Sequence, residues 1–147
     1  MNTGKTGKIL FLLFGLILVG AFSAFLVNKN MQDPKTHPPV MTFKEEKVNL
    51  GDVPQGPVVN GEFEFTNTGQ SVLIIKKISA ACGCTGLVAD EKKEYQPGES
   101  GKLKFTFNTE GRSGVNEKSI SIETNHPTQP NKMVTFTANI IVPQPNK

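Results

Sequence analysis

Tryptophan is absent from this chain, tyrosine occurs once, and histidine and cysteine occur twice each. With His37 in a proline-rich stretch, any Ser-His-Asp arrangement would have to rest on His126, and nothing near it suggests a nucleophile elbow. Phosphate-cradling glycine motifs are missing as well. Gly111-Arg112-Ser113-Gly114 sets a basic residue between glycines, but without a following helix it reads as a turn. Charge of one sign is also scarce. The net charge of +3 comes from Lys5, Lys8 and Lys29 around an N-terminal apolar run; past them, 13 Lys/Arg (16 minus these three) stand against 13 Asp/Glu. That balance removes the electrostatic footprint of a nucleic-acid binder, and Lys76-Lys77 and Lys92-Lys93 read as solvated pairs.

The most apolar part of the chain comes first. Residues 9–27 carry no charge, and 14 of these 19 positions are Leu, Ile, Phe or Val. As a helix the run would span roughly 28 Å, close to the hydrocarbon thickness of a bilayer. At about −0.4 kcal/mol per large apolar residue it supplies on the order of −6 kcal/mol toward insertion. Ala21-Phe22-Ser23 has the small-x-small spacing of a signal cleavage site after Ser23, yet the run continues past it, and its length favours an uncleaved transmembrane anchor. No cysteine stands near its end to accept a lipid. Lys5 and Lys8 favour a cytoplasmic tail of residues 1–8, with everything after the helix on the other side. Residues 28–40 then read as a spacer: Pro34, Pro38 and Pro39 disfavour helix, and His37 is a solvated linker residue.

From residue 41 the pattern turns to period two, with turn residues roughly every ten positions and no competing amphipathic helix. Phe63 and Phe65 point inward and Asn67-Thr68-Gly69 closes their strand as a hairpin-type turn, with glycine free to take positive φ. Residues 72–79, apolar on both faces until Lys76, predict a more central strand. Pro97-Gly98 turns into the cleanest alternation of the chain, with Leu103, Phe105 and Phe107 toward the core. Ile120 and Ile122 follow on another strand, and Val134, Phe136, Ala138, Ile140 and Val142 share one face of the last. With residues 43–50 as an early edge strand, the expectation is an all-β, immunoglobulin-like antiparallel sandwich of about seven strands over residues 41–143, followed by a tail of residues 144–147.

Both cysteines lie in Ala81-Cys82-Gly83-Cys84-Thr85, directly after an apolar strand. In an extended strand the i and i+2 Cβ atoms lie roughly 6.5 to 7 Å apart, whereas a disulfide needs about 3.5 to 4.5 Å. Closing the bond requires the chain to fold back, and Gly83 is the residue able to reach positive φ, so a bridge there would be strained and easily reduced. The pair could otherwise meet a thiol on another molecule or a metal.

Phe63-x-Phe65-Thr66-Asn67-Thr68-Gly69, the Cys-Gly-Cys segment, Pro97-Gly98-Glu99-Ser100-Gly101 and Phe107-Asn108-Thr109-x-Gly111-Arg112-x-Gly114 occur in an order that resembles the bacterial family DUF1573. The resemblance implies an immunoglobulin-like sandwich of the ASH and Hydin type, found in exported or envelope proteins, and brings no activity with it. Joined to the apolar run, it implies a single-pass inner-membrane protein whose domain faces the periplasm.

Three functions fit. A non-catalytic interaction or structural module would present its loops and edges to another envelope protein, the cysteines being a small bridge or buried thiols. A soft-metal site would hold an ion such as Cu(I) between the thiolates of Cys82 and Cys84; zinc would need further ligands, and His126, between Asn125 and Pro127, reads as a surface turn residue. A thiol–disulfide redox protein would exchange the Cys82–Cys84 bridge, although Cys-x-x-Cys at a helix start is the usual arrangement.

Overall fold

The structure, a computed structural model, describes residues 33–88 and 92–143. The expected cytoplasmic tail, anchor and Ser23 cleavage site, the first five residues of the spacer (28–32) and the C-terminal tail lie outside these residues. Among the described residues there are nine strands and no helix: β1 (Met41–Phe43), β2 (Lys47–Pro54), β3 (Val58–Asn67), β4 (Leu73–Ala80), β5 (Thr85–Val88), β6 (Glu94–Tyr95), β7 (Ser100–Asn108), β8 (Gly114–Thr124) and β9 (Asn131–Ile141). They form two sheets, ordered β1-β3-β7-β5 and β2-β9-β8-β4-β6.

Nine strands replace the expected seven for two reasons. The early strand is split: β1 pairs antiparallel with β3 in one sheet, and β2 pairs parallel with β9 in the other. The crossing is held by Lys44 N–H on Glu64 O and by Thr135 N–H on Glu46 O, both at 2.9 Å. Parallel pairing is open to β2 because nearly the whole domain separates it from β9, ample chain for the crossover it requires. The second reason is that β5 and β6 are too short to show an alternation of their own.

The core matches the period-two reading. Phe63, Phe65, Leu103, Phe105, Phe107, Ile120, Ile122, Val134, Phe136, Ala138 and Ile140 are buried, while Lys102 and Lys104 face solvent. Val142 is the exception, lying exposed beyond the end of β9. The 72–79 strand is not central: β4 has β8 on one side, but β6 accompanies it on the other only at Leu73 and Ile74.

A ring stack joins the sheets. Phe105 of β7 stacks on Phe63 of β3 at 5.4 Å between centroids and on Phe136 of β9, across the interior, at 4.3 Å. Gly61 is the cross-strand partner of Phe105, and a methyl group there would run into its ring. Gly101 similarly makes room for Phe65 and Tyr95, whose rings meet edge to face at 4.9 Å. Gly61→Ala is expected to lower stability by about 1–3 kcal/mol through overpacking. Phe105→Ala should cost about 3–5 kcal/mol. In denaturant unfolding, a Gly61→Ala, Phe105→Leu double variant should lose less than the sum of its singles, because the two groups compete for one space.

Candidate functional site

Asn67 is fully buried and saturated. Its Oδ1 accepts from the N–H groups of Val40 (3.2 Å) and Gly69 (3.0 Å), and its Nδ2 donates to the carbonyls of Ser71 (2.8 Å) and Tyr95 (2.9 Å). Its backbone N–H donates to Glu99 O and its carbonyl accepts from Gly98 N–H, so the Asn-Thr-Gly and Pro-Gly motifs form one latch. The hairpin reading of residues 67–69 is thereby corrected: β3 and β4 belong to different sheets, and the chain crosses between them here. Gly69 also lacks positive φ; it is small because the backbone of residues 38–40 passes against it. That end of the spacer belongs to the sandwich, with Gln70 N–H on Pro38 O, Thr68 N–H on Val40 O and the Ser71 hydroxyl on His37 O. Residues 34–37 form a turn on Asp33 O rather than an extended tether.

A second latch sits at the opposite end. Thr109 is fully buried, its Oγ1 lying 3.0 and 2.7 Å from the carbonyls of Pro54 and Pro57 and accepting from Gly56 N–H at 2.9 Å. Arg112 donates Nε–H to Asn108 O, lies over the Phe107 ring at 6.0 Å and offers its carbonyl to Gln55 Nε2. His126 has Nδ1 accepting from the N–H groups of Thr128 and Gln129, a turn-closing role. Among the described residues every buried polar side-chain atom has a hydrogen-bond partner, and no group of His, Cys, Asp and Glu is arranged to hold a metal.

Two features are left that the architecture does not consume. The first is the cysteine turn, which carries the chain from β4 in one sheet to β5 in the other. Ala81 N–H donates to Ser119 O, Thr85 N–H to Cys82 O, and Asn108 N–H to Cys84 O. Cys82 and Cys84 are disulfide-bonded, with Cα atoms 5.3 Å apart. Gly83 is exposed and does not take positive φ: the turn itself, rather than a left-handed glycine, shortens the i to i+2 distance. Cys84 is buried and Cys82 half-buried, and Thr85 Oγ1 lies 3.6 Å from Cys82 Sγ and 4.0 Å from Cys84 Sγ. Bonded to each other, the sulfurs are not thiolate ligands.

The second feature was not anticipated from the sequence. Among the described residues β6 pairs with β4 to Ile74, with Ile75 N–H further on Lys93 O, and β5 pairs with β7 to Lys104, so the two short strands end on the same side of the sandwich. Between them a cleft of about 220 Å³ reaches the core, floored by Phe65, Leu103 and Ile122, with Ile78 and Leu87 at its sides. Among the described residues five lysines and no acid line it: Lys76, Lys77, Lys92, Lys93 and Lys102; Asp90 and Glu91, between the lining residues Val88 and Lys92, lie outside the described residues. Lys102 is paired with Glu62 (2.6 Å) and Glu64 (3.3 Å), which hold its pKa above the ordinary lysine value. Its hydrogen bond and that of Lys44 hold the Glu64 carboxyl below the usual range. Lys92 pairs with Glu99 and lies over the Tyr95 ring at 5.3 Å. Lys76, Lys77 and Lys93 make no ion pair among the described residues. The only sequence signal for this rim was the pair of Lys-Lys dipeptides, which read as ordinary solvated charge.

Two substitutions separate latch from turn. Asn67→Ala strands several buried backbone groups at once and should cost about 3 kcal/mol or more in denaturant unfolding. Gly83→Ala meets no atom within 4 Å and no unfavourable φ, so the bridge should still form by intact mass, with stability unchanged or raised by up to about 1 kcal/mol.

Similar folds occur in otherwise dissimilar proteins. A protein of unknown function from Porphyromonas gingivalis W83 superposes with a TM-score of 0.60 at 22% identity, over 69% of this chain and 46% of that one. The ASH/PapD-like domain 7 of human CEP192 gives 0.53 at 11% identity, over 71% of this chain and 87% of that one. The secreted serine protease VesC of Vibrio cholerae gives 0.58 at 14% identity, over 85% of this chain but 26% of the protease. This chain thus spans less than half of the Porphyromonas protein and about a quarter of VesC. At these identities the likeness extends to the fold alone. No curated protein matches the chain. The family model for proteins of unknown function DUF1573 does match, over residues 41–140, from β1 to the last inward residue of β9, and the chain belongs to that family.

Proposed function

We propose that the protein is a non-catalytic, membrane-anchored interaction module of the bacterial envelope, held to the inner membrane by residues 9–27 with its sandwich in the periplasm. The observation that carries the reading is the lysine-rimmed apolar cleft. Elsewhere the buried polar groups are spent on holding loops, and at the cleft the half-buried Ile78 and Leu87 and the exposed Val88 lie around the buried Phe65, Leu103 and Ile122. A partly exposed apolar recess rimmed by charge is what a protein-docking site offers. The anchor rests on the charge-free run and on Lys5 and Lys8.

Carbonate extraction of cell membranes should leave the full-length mass in the pellet, and periplasmic protease should digest the sandwich in spheroplasts. Release of a soluble form lacking residues 1–23 would show a cleaved signal instead. Cross-linking of the tagged chain in intact cells should give discrete protein adducts, and recovery of the un-cross-linked monomer alone would overturn the interaction reading.

The cysteine turn favours a second reading, thiol–disulfide exchange with a dithiol protein. A thiolate of the partner would attack the more accessible Cys82 Sγ and expel Cys84 as a thiolate within reach of the Thr85 hydroxyl. The partner's second thiol would then displace Cys82, leaving a disulfide on the partner and two reduced cysteines here, ready for a soft ion such as Cu(I). Stability is a weak reason for the bridge, because so short a loop contributes toward the low end of the ~0–5 kcal/mol range of disulfides. A Cys82→Ser, Cys84→Ser variant should therefore keep its unfolding midpoint nearly unchanged. If it also keeps its cross-linked adducts, the bridge is incidental to the interaction; if alkylation finds the wild-type pair always oxidised in cells, the exchange reading fails.

A further inference from the structure

The cleft's shape and charge specify what would fill it, an inference that rests on the interaction reading above. Its 220 Å³ falls below the roughly 300–1,000 Å³ of sites that enclose a drug-sized molecule, so it has room for protruding side chains rather than a whole metabolite. It runs along the place where β6 leaves β4 and β5 leaves β7, between two sheet edges, which suits an extended chain better than a helix. An extended chain puts every second side chain on one face, able to enter the apolar floor of Phe65, Leu103 and Ile122. The remaining side chains would meet the rim, where, among the described residues, Lys76, Lys77 and Lys93 have no ionic partner and no acid lines the cleft.

We propose that this cleft binds an extended, acidic segment of a partner protein, its apolar side chains entering between the sheets and its carboxylates pairing with Lys76, Lys77 and Lys93. Charge on the rim would speed encounter and select against basic segments, while the apolar floor would supply the holding contacts.

The test uses the full chain in a non-ionic detergent and a fluorescein-labelled ten-residue peptide of alternating glutamate and valine, read by anisotropy. Binding is expected to weaken with added salt, and to exceed that of a lysine–valine and of a glutamate–serine peptide at least tenfold. The Lys76→Glu, Lys77→Glu, Lys93→Glu triple variant, whose altered side chains lie at the surface, should lose at least tenfold. Lys47→Glu, on the far edge strand β2, should change binding less than twofold. In amide spectra the peptide should shift Ile78 and Leu87 and leave Val115 and Met133 in place.

Equal binding of the lysine–valine peptide, no loss in the triple variant, or shifts centred on Met133 would each overturn the proposal. So would displacement of the bound peptide by phosphatidylglycerol added to the micelles, which would make the rim a lipid-headgroup site. If the triple variant keeps its cellular cross-links, the cleft assignment falls while the interaction reading stands; if wild type has none, the broader reading falls first.

Discussion

The contact on which this sandwich depends is the face of the Phe105 ring, laid against Phe63 within its own sheet and against Phe136 in the other. Stacked aromatic pairs at such separations contribute ~0.5–1.5 kcal/mol beyond the apolar area they bury. Here the geometry is made available by an absence, since the ring occupies the space that a side chain on Gly61 would take. Phe107 meets the same Phe136 edge to face at 5.3 Å, so one residue of β9 receives two rings of β7 and fixes how the sheets sit on each other. Strand register follows from this, because a slip of one residue would turn Lys104 into the core and Phe105 into water.

With the sheets locked, the loops at their ends are held by buried polar side chains rather than by more apolar packing. Asn67 ties β1, β3 and the β6–β7 turn, and Thr109 ties the turn between β2 and β3 to the end of β7. Such fully satisfied groups are costly to disturb, because removing one strands several partners in a water-poor interior. This explains why the motifs that stand out in the sequence describe architecture: they mark where the chain crosses between sheets.

The cost of the arrangement appears on one side. β5 and β6 are brief, and the cysteine turn between β4 and β5 diverts the chain from one sheet to the other before either edge is covered along its length. The same diversion creates both remaining features of chemical interest, the half-exposed bridge and the lysine-rimmed cleft. The lysines there also carry charge at a sheet edge, which discourages indiscriminate strand pairing.

Local periodicity alone determined which residues of β3, β7, β8 and β9 face inward, because successive side chains of a strand alternate in direction whatever its neighbours are. It likewise determined the all-β class of residues 41–143, while composition determined the charge balance and the place of the one long charge-free apolar run, residues 9–27. The tertiary structure decided what depends on partners distant in sequence. It assigned β1 and β2 to different sheets, placed β4 beside a two-residue strand, and set the backbone of residues 38–40 against Gly69. It also put Lys93 at the same opening as Lys76 and Lys77, although nothing near either dipeptide in the chain announces the other. Alternation is written in neighbouring residues, whereas a cleft is the space left when two sheets end, and that space exists only once both have folded.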